Sequence, residues 1–322
     1  MLCACAEAPI DFSLPCSVQA VLAGEQIGGT ALADADAWLL VELGGAWDAL
    51  TPESALPERA QAWLAGLRAR HPRLRFLMIR RERPSRLLSC FVAFSPQRRP
   101  TGPARRGVFR FEARTHDELA LLDLDAILAG GASSAAALGG EPVSSLYVVC
   151  AHGKRDACCA KKGVALYRAL AETDLDGEPW QSTHQGGHRF AATMLYLPLG
   201  IHYGRLEPSH AQELVLAHTR GRLFDLEHYR GHTSLSPLVQ RAEAWLRQEL
   251  DERHIDAFTL LEEQELEGAC RGVVMGGRGG ARHRVVLAPK TGKKLRMASC
   301  SGAEPGSVSY HDVVRYEAHT RA

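Results

Sequence analysis

The chain has 322 residues, 46% hydrophobic and 23% charged, with 38 lysines and arginines against 37 aspartates and glutamates. That length supports two or three domains with cores of their own, and the charge balance leaves no basic excess for a nucleic-acid partner. Residues 1–17 lack a basic start followed by an apolar run, and no stretch approaches the ~20 apolar residues that span a bilayer, so the expectation is a cytoplasmic protein without a membrane partner.

In chain order, apolar residues at 37–43 predict a strand, and Ala60, Trp63, Leu64 and Leu67 place one apolar face on a helix over 57–70. Strands are expected over 74–80, 87–94 and 108–113, then a helix over 116–128. Residues 96–106, rich in Pro, Gly and Arg, read as loose, and the Ala/Gly/Ser run 129–145 reads as a linker. A strand over 146–150, a helix over 162–171, a strand over 179–183, a hairpin of 194–197 with 200–206, and a helix over 209–218 follow. Both stretches read βαβββα. A gap-free overlay puts Trp38 to Glu42 on Leu146 to Cys150, and Asp48 on Asp156.

The expected fold is therefore α/β, two thioredoxin-like βαβββα units related by duplication, followed by a small α+β region. The boundaries are 1–128 for a first unit, 129–145 for the linker, 146–222 for a second unit and 223–322 for the tail. In the tail a helix is expected over 236–250, then strand-like pieces at 258–266, 271–275, 284–287 and 294–298. Glu42 and Thr51 stand where the second copy has Cys150 and Cys159, so only the second copy is expected to carry chemistry.

The chain has nine cysteines, which in a reducing compartment read as metal ligands, catalytic groups or buried fillers rather than disulfides. Thiols and imidazoles concentrate in two stretches, Val149 to Cys159 and Trp180 to Phe190. Cys150 ends a strand and Cys159 begins a helix, so the loop between them can turn both sulfurs toward one centre. His184 and His188 are four apart as in zinc proteases, but Gly186 and Gly187 oppose a helix and no Glu follows His184, so that reading fails.

The Cys150 strand end, the His152-Gly-Lys-Arg-Asp-Ala-Cys-Cys159 loop, the Thr183-His-Gln-Gly-Gly-His-Arg-Phe-Ala-Ala192 segment and Leu197-Pro-Leu-Gly-Ile-His-Tyr-Gly-Arg-Leu206 together resemble the sucrase/ferredoxin-like family. The resemblance spans roughly 16–223 and nothing in it points to a sucrase. It implies a thioredoxin-like ferredoxin domain with one 2Fe-2S cluster of the bis-histidinyl type. Carried over residue by residue, the ligands are Cys150, Cys159, His184 and His188. Neutral imidazoles in place of anionic thiolates imply a raised reduction potential and a titratable ring nitrogen, hence proton-coupled electron transfer.

Cys158 competes with Cys159 as ligand and is read as a bystander. His152 is read as a loop histidine near the site, and Arg155, Asp156 and Arg189 as salt-bridged anchors. Cys3, Cys5 and Cys16 carry no matched second pair, Cys90 reads as core, and Cys270 with Cys300 flank strands of the tail. The glycines at 276–280 lack a phosphate-loop ending, and Arg98, Arg99, Arg105 and Arg106 read as a solvated loop able to meet an acidic partner. The expected function is electron transfer with a redox partner protein, oligomeric state left open. The alternatives are a structural zinc site on the same four residues and a thiol-disulfide protein, the latter opposed by the absence of Cys-x-x-Cys.

Overall fold

The computed structural model describes residues 10–95, 107–300, 302 and 304–319. Cys3, Cys5 and the arginines at 98, 99, 105 and 106 lie outside the described residues. The first half comprises α1 (Cys16–Leu22), β1 (Ala37–Glu42), α2 (Glu58–Arg70), β2 (Leu74–Arg80), β3 (Leu88–Phe94), β4 (Gly107–Ala113), α3 (His116–Leu119), α4 (Leu124–Ala137) and β5 (Glu141–Val143). The second comprises β6 (Leu146–Cys150), α5 (Ala157–Ala171), β7 (Glu178–Ser182), β8 (Met194–Leu197), β9 (Ile201–Tyr203), α6 (Ala211–Thr219) and β10 (Tyr229–His232).

All ten strands form one sheet in the order β10-β9-β8-β6-β7-β2-β1-β3-β4-β5. At its middle β2 meets β7 antiparallel through Ile79 and Ser182. Outward from that junction each half repeats the same pattern, a parallel pair (β2 with β1, β7 with β6) followed by antiparallel neighbours. Strands β1 and β6 are buried along their whole length, which is why both are continuous apolar runs rather than alternating ones, β1 up to its last residue, Glu42. Leu64, Leu67 and Ile127 cover one face of the first half, and Leu166, Leu170 and Leu214 cover the second. Trp38, Phe91, Val148 and Trp180 from the two halves share a third core layer.

The expected linker 129–145 differs from the structure. Most of it is the end of α4 and all of β5, which pairs with β4 through Val108 and Val143. The Ala/Gly composition suggested slack, but alanine is the best helix former, Asp123 caps the helix by accepting from the Ala126 amide at 2.9 Å, and Leu124, Ile127 and Ala135 are buried. The bend is confined to Gly131, at φ 64°. The helix expected over 116–128 is likewise split into α3 and the start of α4.

Beyond β10 come α7 (Pro237–Glu249) and a second, four-stranded antiparallel sheet of β11 (Thr259–Glu265), β12 (Arg271–Gly276), β13 (Arg282–Arg296) and β14 (Gly306–His319). The two pieces expected at 284–287 and 294–298 are parts of the single strand β13, and β14 was not expected because its residues are largely polar and half-exposed. Helix α7 packs Val239 and Leu246 on Phe258, Val273 and Val285. On its other side, Tyr229 of β10 donates to Glu243 Oε2 at 2.9 Å, and Arg247 bonds Glu243 Oε1 at 2.9 Å and the carbonyls of His254 and Ile255. This fully buried ion pair is tolerable because its donors and acceptors find partners.

His218 on α6 is buried, accepts from or donates to the Tyr203 hydroxyl at 3.0 Å, and stacks on Tyr196 at 3.8 Å. Burial drives its pKa down to about 3. The folded state then refuses a proton that the unfolded chain accepts below about pH 6.5, so stability is intact above that pH and falls as pH drops toward 3. Urea unfolding should show this group costing about 2 kcal/mol between pH 7 and pH 5. The His218→Phe variant should have a flatter pH dependence by that amount; an unchanged profile would count against the assignment.

Candidate metal centre

The site lies at the carboxyl end of β6, where the parallel neighbour β7 ends beside it. Cys150 is the last residue of β6 and is fully enclosed. The chain then turns through residues 151–155, and Asp156 starts α5 by accepting the Cys158 amide at 2.9 Å, a standard side-chain cap. Cys158 and Cys159 thereby occupy the first helical turn. Gly163, one turn on, lets α5 lie directly on the strand end: a Cβ there would fall 1.9 Å from the Cys150 carbonyl oxygen. That close approach brings the Cys159 sulfur to Cys150.

His184 enters from the loop after β7. One donor atom from each of Cys150, Cys159 and His184 lies within 4.8 Å of the others, a grouping that could hold a metal ion. Cys150 Sγ is 4.0 Å from His184 Nδ1. The hydrogen bond from Cys159 pulls the Cys150 thiol well below its ordinary pKa against the effect of burial, with His184 and the Gln185 amide assisting. Cys159, as donor, is pushed up.

His188 sits one ring further out, stacked on His184 with ring centroids 4.9 Å apart. Its Nε2 bonds the Ala298 carbonyl at 2.7 Å, while its buried Nδ1 has no hydrogen-bond partner and lies 4.0 Å from Asp156 Oδ2. Burial lowers its pKa, Asp156 opposing. Glycines 186 and 187 are both left-handed, at φ 84° and 72°, so no helix joins the two histidines, as their residue type suggested. A Cβ on Gly187 would also strike the Arg230 guanidinium at 2.6 Å.

Arg230, on β10, was not singled out from the sequence. It is fully buried, donates to the Gly186 carbonyl and to His202 Nε2, each at 3.1 Å, and also holds the Thr30 carbonyl. Burial lowers its pKa to about 9, which leaves it charged at neutral pH beside the two sulfurs. His202 is held well below its usual range, by burial first and by Arg230 second, and so stays a neutral acceptor.

His152 packs edge-on against Trp47 and accepts the His184 amide at 3.3 Å, so it positions the loop. Arg189 anchors on buried Glu25 at 2.7 Å. Asp156, expected as a salt-bridged anchor, is held by backbone amides and lies 4.0 Å from His188 Nδ1. Burial works against its charge, but the Cys300 amide at 2.9 Å and the Cys158 amide outweigh it and hold its pKa low.

A second grouping was missed. Cys16, Asp156, Cys158 and Cys300 also place donor atoms within 4.8 Å of one another. Cys158, read as a bystander, belongs to this set, and Cys300 meets Cys16 and Cys158 rather than Cys270. Pairwise proximity across 284 positions leaves no local pattern in a single sequence.

Comparison with known proteins gives two findings. The model of the sucrase/ferredoxin-like family matches residues 36–231, well over half of the chain. A stretch of 98 residues is 30% identical to altered inheritance of mitochondria protein 32 from Meyerozyma guilliermondii, covering 28% of this chain and 35% of that protein. No solved structure matches.

Because a Gly163 side chain would collide with backbone, Gly163→Ala should push α5 off β6, costing about 1–3 kcal/mol and separating Cys159 from Cys150. Urea unfolding should show the loss; a variant as stable as the unaltered protein would contradict the close-approach argument.

Proposed function

The chain belongs to the sucrase/ferredoxin-like family, and on that premise we propose that it is an electron-transfer protein whose Cys150, Cys159, His184 and His188 hold a 2Fe-2S cluster. The observation that carries this reading is the convergence of two enclosed thiols and His184, with the buried, unpartnered Nδ1 of half-buried His188 beside them. Two thiolates and two imidazoles are a donor set that such a cluster accepts. When bound, the cluster supplies a one-electron couple.

The chain's own residues tune that couple. Cys150 and Cys159 contribute the anionic side, and the Gln185 amide donates to Cys150. The buried charge of Arg230 favours the more negative, reduced state. His188 donates its Nε2 proton to the Ala298 carbonyl at 2.7 Å, which orients the ring with Nδ1 free for the site. The proposal places the protein in the cytoplasm with a redox partner; no described helix is long and apolar enough to cross a membrane.

A duplicated thioredoxin-like unit is part of the same reading. It is supported by the matching strand orders of the two halves and by the equivalent ends of β1 and β6, where Glu42 and Cys150 stand. Glu42 takes an ion pair with Arg81 and the Ser89 amide, so the first copy fills that place with a saturated carboxylate. The compact Cys150, Cys159 and His184 grouping also suits a single structural zinc, which iron and sulfide content separates from a cluster.

Anaerobically purified protein should contain about two irons and about two sulfides per chain, and electron paramagnetic resonance after dithionite reduction should give the low average g value of histidine ligation. Iron-free protein would overturn the proposal. The potential should fall by up to about 59 mV per pH unit above the pKa of the oxidised site. His184→Cys should lower the potential, because an anionic thiolate replaces a neutral imidazole; an unchanged potential would count against His184 as a ligand.

A further inference from the structure

We propose that Cys16, Cys158 and Cys300, with Asp156 as the oxygen donor, form a second metal site that takes one zinc ion and clasps three distant parts of the chain. Cys16 opens α1, Cys158 lies in the first turn of α5, and Cys300 follows β13. Their sulfurs form a closed triangle: 3.7 Å between Cys16 and Cys158, 3.2 Å between Cys158 and Cys300, and 3.4 Å between Cys300 and Cys16. Asp156 carboxylate oxygens stand 3.8 and 3.9 Å from the Cys16 sulfur.

The dimensions decide between a metal and a disulfide. Sulfurs bound tetrahedrally at about 2.3 Å from zinc lie about 3.8 Å apart, whereas a disulfide needs about 2.05 Å. A pairwise bond would also leave the third thiol with nothing to do, while all three sulfurs face a common centre. Three thiolates with one carboxylate are a soft, anionic set suited to zinc, and a divalent ion is the partner that lets them sit together away from water. Cys16 and Asp156 are buried, and Cys300 is exposed at the mouth of a cleft lined by Leu14, Val18 and Met297, which supplies an entry path.

The surroundings already fix the donors. The Cys300 amide and the Ser299 hydroxyl bond Asp156 Oδ2 at 2.9 and 3.3 Å. Met297 donates to the Gln19 side chain at 2.8 Å, and Arg296 reaches buried Glu25 at 2.7 Å. The segment that continues β13 therefore lies over α1 and the start of α5, and zinc would lock it there. Ala298, which holds His188, is part of the same segment.

This site shares no donor with the proposed cluster, so the two succeed or fail separately. Protein grown with zinc and iron and kept reduced should contain about one zinc per chain. Zinc-edge X-ray absorption of the unaltered protein should show about three sulfurs at about 2.3 Å with one oxygen. The Cys16→Ser, Cys300→Ser double variant should lose the zinc while keeping iron. The site is overturned if the unaltered protein binds no zinc and its thiols titrate free, if mass spectrometry finds a disulfide among the three, if the absorption shell lacks sulfur, or if the double variant keeps its zinc.

Discussion

Asp156 is the contact on which the chemical face of the molecule depends. One carboxylate caps α5 through the Cys158 amide, receives the Cys300 amide and the Ser299 hydroxyl, and lies within reach of His188 and Cys16. A buried carboxylate is stable only when such donors compensate its lost hydration. Those donors come from the helix that carries Cys159 and from the segment that carries Cys300. The residue thus stands between two groupings of side chains that could hold a metal ion, belonging to one and capping the helix that carries Cys159 of the other.

The sheet explains why such a site sits where it does. Ten strands with their parallel pairs at the centre place the ends of β6 and β7 side by side, and the loops leaving those ends converge over them. This is the general position for ligands in sheets with parallel strands. At the carboxyl end of β1, beside its parallel neighbour β2, Glu42 is taken up in an ion pair with Arg81. One strand end is thus saturated by an ion pair within the protein, and the other carries thiol and imidazole donors. Function follows from the site and not from the scaffold.

The region after β10 is integrated with the rest through polar contacts as much as through its own core. Arg247, Glu243 and Tyr229 join α7 to the edge of the large sheet, and Arg296 with Glu25 joins β13 to the stretch after α1. Burying these charges requires that every partner be present together. The tail consequently reaches the face that carries the thiol and imidazole groupings, where Ala298 and Cys300 contact residues of the second half.

The sequence by itself determined what periodicity and local chemistry encode. The buried strands 37–42 and 146–150 were legible as apolar runs, the first ending in Glu42, α2 as an amphipathic pattern, and α7 as one opened by Ser236-Pro237. The clustering of Cys150, Cys159, His184 and His188 within two short loops marked the place of the candidate site. What only the tertiary structure decided were the long-range encounters: β2 beside β7, Cys300 beside Cys16 and Cys158, Arg230 beneath the glycine loop, and the folding of 129–145 into helix and edge strand. Those depend on packing between residues far apart in the chain, and local propensity carries no term for such contacts.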